Sequence, residues 1–218
     1  MGLSNKKANS QTFVTIVGGK FTIRLQDGDN NPDAVERVLG DKSPNAGKTI
    51  RELQFTHLDG WITGGLMNSE SQYPSFDIYM EDGGENFTLQ ISMDSGYFGE
   101  VTKRVASLDP TKKVVFGLGF DKEARQGKGK HFLFIQQDGQ SVHMNHTKDN
   151  PNGMPPPVEK TVKGKTAWDF EAQENFLYDV AIDWLASLDS TEKPPAYTDE
   201  QTPAEPELPE ADEEQIPF

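Results

Sequence analysis

Hydrophobic residues along this chain recur mostly at a spacing of two. Between 86 and 93, Phe87, Leu89, Ile91 and Met93 alternate with Thr88, Gln90 and Ser92. A half-buried antiparallel strand needs that period. Residues 75–81 repeat it, with Phe76, Ile78 and Met80 on one side and Asp77, Tyr79 and Glu81 on the other. Asp82-Gly83-Gly84 turns the chain between the two runs. Upstream, Phe13, Ile16, Val17, Phe21, Ile23 and Leu25 predict strand over 12–25, with Gly18-Gly19 as a turn or bulge. Residues 26–48 are polar and turn-rich and read as a long loop. Ile50, Leu53, Phe55 and Leu58 predict a strand over 49–58. Asp59-Gly60 is a hairpin signal, so Trp61 to Met67 is expected to return as the partner strand.

The period shifts to that of a helix twice. Over 96–108, Phe98, Val101, Val105 and Leu108 fall at helical spacing behind Ser95, a capping residue type, and Asp109-Pro110 ends the run. Over 167–188, Leu177, Val180, Ala181, Trp184, Leu185 and Leu188 make an apolar stripe, and Thr166 with Asp169 spells a capping box. Between these helices, strands are predicted over 112–120 and 131–137. The loop 121–130 joins them, Asp138-Gly139 turns, and 140–146 is expected to pair back. Residues 147–165, with Pro155-Pro156-Pro157, read as a linker.

Three antiparallel strands, a helix and two more strands match the oligonucleotide/oligosaccharide-binding (OB) barrel, a five-stranded, partly open Greek-key barrel. The expected fold is therefore mainly β. An OB-like barrel with extra hairpins occupies 1–146, a linker 147–166, an amphipathic helix 167–188 and a disordered acidic tail 189–218. Any α+β domain with one mid-chain helix fits the same order. The C-terminal helix is expected to pack on the barrel or to mediate self-association into a homo-oligomer.

Charge sharpens this division. The chain has 218 residues and a net charge of -14. Residues 1–166 hold 20 Lys/Arg and 20 Asp/Glu, whereas 189–218 hold ten acids, one base and six prolines. That last composition cannot bury enough apolar surface to fold alone. The body is balanced, so the low overall pI does not argue against nucleic acid. Cysteine is absent, which excludes disulfides and cysteine-ligated zinc. Residues 1–10 are polar and lack a signal-peptide core, and no run of about 18 apolar residues suits a membrane span. A soluble protein of the bacterial cytoplasm or of a phage-infected cell is expected.

Nothing in the sequence supports an enzyme, a cofactor or a metal. There is no nucleophile elbow, phosphate-cradling loop or paired His set. Asp27-Gly28-Asp29-Asn30-Asn31-Pro32-Asp33 resembles the start of a calcium loop, but Pro32 and Val38 stand where that loop needs Gly and Glu. An Asx-rich surface loop is the better reading. The basic stretch is more informative. Residues 103–130 carry Lys103, Arg104, Lys112, Lys113, Lys122, Arg125, Lys128 and Lys130 against Asp109, Asp121 and Glu123, a net of +5. In the expected barrel, 121–130 is one of the two loops that grip single strands. Phe116, Phe120, Phe132 and Phe134 flank it. If Leu133 and Ile135 fill the core, Phe132 and Phe134 face outward. Exposed rings stack on bases while cations track phosphates. Trp61 and Tyr79 are further platform candidates. The competing reading makes these aromatics core and the lysines a solvated loop.

The tail ends Asp212-Glu213-Glu214-Gln215-Ile216-Pro217-Phe218. This acidic end closing on Ile-Pro-Phe resembles the C-terminal tip of bacterial-type single-stranded DNA-binding proteins, with glutamates largely replacing aspartates and Gln215 interrupting the acidic run. The body, longer and with an added helix, is similar in architecture to phage-encoded single-strand binders. The resemblance implies a body that binds single-stranded DNA. It also implies a tip, Asp212 to Glu214 with Ile216, Pro217 and Phe218, that recruits replication, recombination or repair proteins. Phe218 would enter an apolar pocket, and the tail would compete with DNA for the groove when DNA is absent. An alternative is a structural or adaptor protein of a virion or assembly, with a protein-binding barrel and a docking tail. A carbohydrate-binding barrel using Trp61 and Tyr79 is a weaker one.

Overall fold

A computed structural model describes residues 12–40, 45–123, 130–162 and 165–189. Among these described residues, twelve strands and two helices run in the order β1 (Thr12–Val17), β2 (Lys20–Arg24), β3 (Val35–Val38), β4 (Thr49–Phe55), β5 (His57–Asn68), β6 (Ser75–Asp82), β7 (Glu85–Ser92), α1 (Gly96–Val105), β8 (Val114–Asp121), β9 (Lys130–Gln137), β10 (Gln140–Ser141), β11 (Val158–Val162), β12 (Lys165–Asp169) and α2 (Glu171–Asp189). Ten strands form one sheet in the order β10-β9-β8-β5-β6-β7-β1-β2-β4-β3, and β11 with β12 forms a separate hairpin.

The long strand β5 organises this sheet. Its first half pairs with β8, from His57 opposite Gly117 to Gly60 opposite Val114, and its second half pairs with β6. Every pairing from β9 to β7 is antiparallel, and α1 follows β7, as the sequence pattern predicts. A closed five-stranded barrel does not form. Closure would need β7 to meet β9, but β1 takes that edge of β7 in parallel, from Thr12–Phe87 to Thr15–Gln90. The sheet still curls, until the β1–β2 turn rests on His131 of β9. A Cβ on Gly19 would lie 2.2 Å from that ring, and Gly19 has φ +74°. Only glycine fits both demands.

One face of the sheet makes the core. Phe76, Ile78 and Met80 of β6, Leu89 and Ile91 of β7, Phe116 and Leu118 of β8, and Leu133 and Ile135 of β9 are buried there. α1 adds Phe98, Val101 and Val105, and α2 adds Leu177, Ala181 and Trp184. Phe76 binds the layers, with Phe98 and Trp184 both edge-on at 6.0 Å. The C-terminal helix thus completes the core of this fold.

Several local expectations are corrected. Asp59-Gly60 is not a turn: β5 runs straight through it, and β4 and β5 pair with different neighbours. Gly60 is required by packing, since a Cβ there would sit 2.9 Å from the Glu81 carbonyl oxygen. The loop 26–48 contains the edge strand β3. Its Asx segment is held by Asn31 and Asp33 amides donating to the side chains of Asp29 and Asn31 at 3.0 and 2.9 Å. Beyond Asp138-Gly139 the return is short: Gln140–Ser141 pair with Gln137 and Gln136, and the Val142 amide donates to the Ile135 carbonyl at 2.8 Å. The described residues of the expected linker are structured: Met154 is buried, and the β11–β12 hairpin begins in the linker and runs past its end to Asp169. Thr166 and Asp169 belong to β12, so the capping box does not exist. Instead, the Asp169 carboxylate accepts the Glu171 amide at 3.0 Å where α2 begins. Ser95 precedes α1 without capping it, and its hydroxyl donates to the Ser92 carbonyl. The tail from 190 onward lies outside the described residues, as do 124–129 of the basic loop. Among the described residues no helix is long and apolar enough to cross a membrane.

Candidate nucleic-acid interface

Strand alternation decides where each aromatic points. In β9, Leu133 and Ile135 are buried, so Phe132 and Phe134 stand on the opposite, outer face, where both are half-buried. Their partners on β8 are Gly119 and Gly117. A Cβ on Gly119 would come within 2.5 Å of the Phe132 ring, and one on Gly117 within 2.1 Å of the Phe134 ring. Each ring therefore lies down over a bare stretch of backbone. The two centroids are 6.3 Å apart, with the rings tilted by 46°. His57, opposite Gly117 on β5, meets Phe134 edge-on at 5.9 Å. The result is an outer strip of three rings, His57, Phe134 and Phe132, across three strands. Rings laid over glycines shield the ladder beneath, which is a structural role in itself. Their upper surfaces stay partly open to water.

Phe116 is different. It pairs with Ile135, shares its face and is fully buried, so its assignment as a stacking platform is overturned. Phe120 is half-exposed at the end of β8, where its ring meets His131 at 4.7 Å, next to the 121–130 loop. Trp61 and Tyr79 are half-buried on the outer face of β5 and β6. Tyr79 lies beside Gly64, and the Lys113 ammonium sits 5.3 Å from the Trp61 ring centre. Sequence reasoning did not single out the exposed aromatics Phe13, Phe55, Tyr73, Trp168 and Phe170, of which two stand out. Tyr73 (62% exposed) projects from the β5–β6 loop, and Phe13 (52%) stands on the outer face of β1 beside Thr88. An aromatic ring in the polar run Ser69 to Ser75 is the signal that could have identified Tyr73.

The cations are less free than their count implies. Lys112 pairs with Asp138 at 2.6 Å. Lys113 bridges Asp59 and Asp82 at 2.6 and 2.9 Å. Burial pulls the Lys113 ammonium pKa down, but its hydrogen bonds to the two carboxylates outweigh this and hold it above the usual value. Arg104 and Lys130 share Glu100, at 3.0 and 3.3 Å. Four of the six described candidates are thus already engaged, by acids that lie outside a simple count of the basic stretch or on α1. Among the described residues, Lys103 and Lys122 have no carboxylate partner. Arg125 and Lys128 lie outside the described residues, as do Asp212, Glu213, Glu214, Ile216, Pro217 and Phe218 of the tail tip.

The described residues contain no group of three His, Cys, Asp or Glu side chains placed to hold a metal. The geometry offers an aromatic strip on the outer face of the sheet. Comparison with protein-family models, curated proteins and solved structures gives no match.

Proposed function

We propose that this chain is a non-enzymatic, largely sequence-independent single-stranded DNA-binding protein. It would protect exposed strands and recruit replication, recombination or repair proteins through its acidic tail tip. The observation that carries this reading is the pair Phe132 and Phe134, laid open-faced over Gly119 and Gly117 on the outer side of β9. Unpaired bases stack on such rings regardless of identity, whereas paired bases in a duplex are already stacked. The pairings of β5 to β9 around α1 support an OB barrel opened by β1, with 121–130 as a strand-gripping loop.

The test is binding of labelled oligo-dT against duplex of the same length at several salt concentrations. Single strand should win. With about four cations of the basic stretch on phosphates, log affinity should fall with log salt at a slope of about -3. No preference for the single strand, or no salt dependence, would overturn the reading. The engagement of Lys112, Lys113, Arg104 and Lys130 by carboxylates favours the second reading, an adaptor whose sheet binds protein. A body that ignores oligonucleotides while its tail captures a partner would establish that instead.

A further inference from the structure

A cleft opens where β1 leaves β7. The two strands part after the Thr15–Gln90 pair, and β1 continues with β2 alone. The end of β5, the loop to β6 and the first turn of α1 close round the gap, leaving a cavity of about 390 Å³. That volume lies in the range of roughly 300–1,000 Å³ typical of small-ligand sites. Its lining is unusual for this chain. Of twelve residues around it none is charged, although 26% of the sequence is. Instead it presents two tyrosines, Tyr73 and Tyr97, the amides of Asn68 and Gln90, and several hydroxyls. Gln90 Nε2 is aimed at Asp77, at 3.3 Å, which leaves its carbonyl oxygen for a ligand. The Asn68 amide makes no hydrogen bond to another described residue. Ser71 pins the loop by donating to the Tyr73 carbonyl at 2.6 Å and accepting the Tyr73 amide at 3.0 Å, which holds the backbone that carries that ring.

We infer that this cleft is a nucleobase subsite, taking one base splayed from the bound strand. A site lined by no charged residue repels neither base nor backbone and has no cation to hold a phosphate. Aromatic faces with amide and hydroxyl edges suit a flat heterocycle that carries donors and acceptors. The inference rests on the single-strand reading and refines it. The Phe132–Phe134 strip holds any base, and the cleft adds a modest preference among bases, because amides read hydrogen-bonding edges whereas stacking alone does not.

The experiment compares homopolymers of dT, dC and dA on the full chain, as wild type, Tyr73→Ala and Asn68→Ala. Wild type should favour one homopolymer by at least about 5-fold, the low end of discrimination by a well-placed amide. Both variants should compress that ratio to within about 2-fold and leave the salt slope unchanged, since no phosphate contact is lost. Equal wild-type affinities, or variants that keep the ratio, would overturn the subsite. Free nucleosides titrated against isotope-labelled protein separate this from the wider reading. Shifts confined to the cleft with no oligonucleotide binding would leave a nucleoside site but overturn both the strip and the splayed-base role. Shifts produced by neutral sugars but not by nucleosides would replace the base with a carbohydrate.

Discussion

At the scale of single residues, Glu52 shows how a buried charge is tolerated. Its side chain is 2% exposed on β4, and Arg37 of β3 meets it through two hydrogen bonds from Nε, at 3.0 and 3.1 Å, and one from Nη2 at 2.9 Å. Burial raises the pKa of this carboxyl, but the Arg37 hydrogen bonds, the Gln54 amide and the Arg37 charge outweigh it, so the net shift is downward from 4.5. A lowered pKa stabilises the fold above the ordinary carboxyl range, and the benefit is lost as pH falls through the lowered value. Glu52→Gln should therefore be less stable than wild type at pH 7, with the gap closing below pH 4.5. Urea midpoints across pH 3–7 measure it, and a gap that persists in acid would contradict this role. Arg37→Ala should cost about 2 kcal/mol, less than for a fully buried pair because a third of Arg37 lies in water. On the outer face, Phe132→Ala and Phe134→Ala should each keep the fold and weaken oligo-dT binding by about 1–3 kcal/mol, the value of one stacked base. Unfolding of either variant would place the rings in a structural role.

At the scale of elements, α2 belongs to the core. Trp184 is buried and meets Phe76 edge-on, and Leu185 comes so close to Gly65 of β5 that a Cβ there would lie 2.6 Å from it. Trp184→Ala should remove about 3–5 kcal/mol of unfolding free energy, seen as a lower denaturant midpoint at unchanged slope. A helix that merely decorates the surface would give less than 1 kcal/mol. The strength of a local pattern explains which elements the sequence revealed. β6, β7, α1, β8 and β9 were legible because alternation or helical spacing persists over a whole element. Local turn chemistry misled where tertiary packing used the same residues otherwise. Asp59-Gly60 is a turn dipeptide, yet Gly60 is there so that the Glu81 backbone can approach. The β11–β12 hairpin was hidden because Val158, Glu159 and Lys160 follow three prolines and are exposed, so no apolar alternation marks them. At the site, Phe132 and Phe134 followed from parity with Leu133 and Ile135. Phe116 could not be placed until its partner on β9 was known. Nor could the ion pairs, because Asp59, Asp82 and Asp138 reach the lysines only through strand register.

At the scale of the whole molecule, charge is split between a balanced body and a tail bearing ten acids against one base. Under the proposed function, that split makes the two ends work against each other. Four of the six described cations of the basic stretch are already engaged by carboxylates, so a segment of net -9 would compete with phosphate for the remainder. A chain of 30 residues with no fold of its own, as the composition of 189–218 predicts, would span roughly 30 Å. Removing residues 209–218 should therefore leave oligo-dT binding intact or make it tighter, with the gain largest at low salt, where charge competition is least screened. It should also abolish capture of partner proteins, because Ile216 and Phe218 are the only large apolar side chains in the deleted segment. Replacing Ile216 and Phe218 with alanine while keeping the acids separates the two effects. Partner capture should be lost as in the deletion, but DNA affinity should stay at the wild-type value. Titrations at 50 and 200 mM salt on the three proteins decide it. Loss of DNA binding on deletion would mean that the tail supports the interface and does not compete with it.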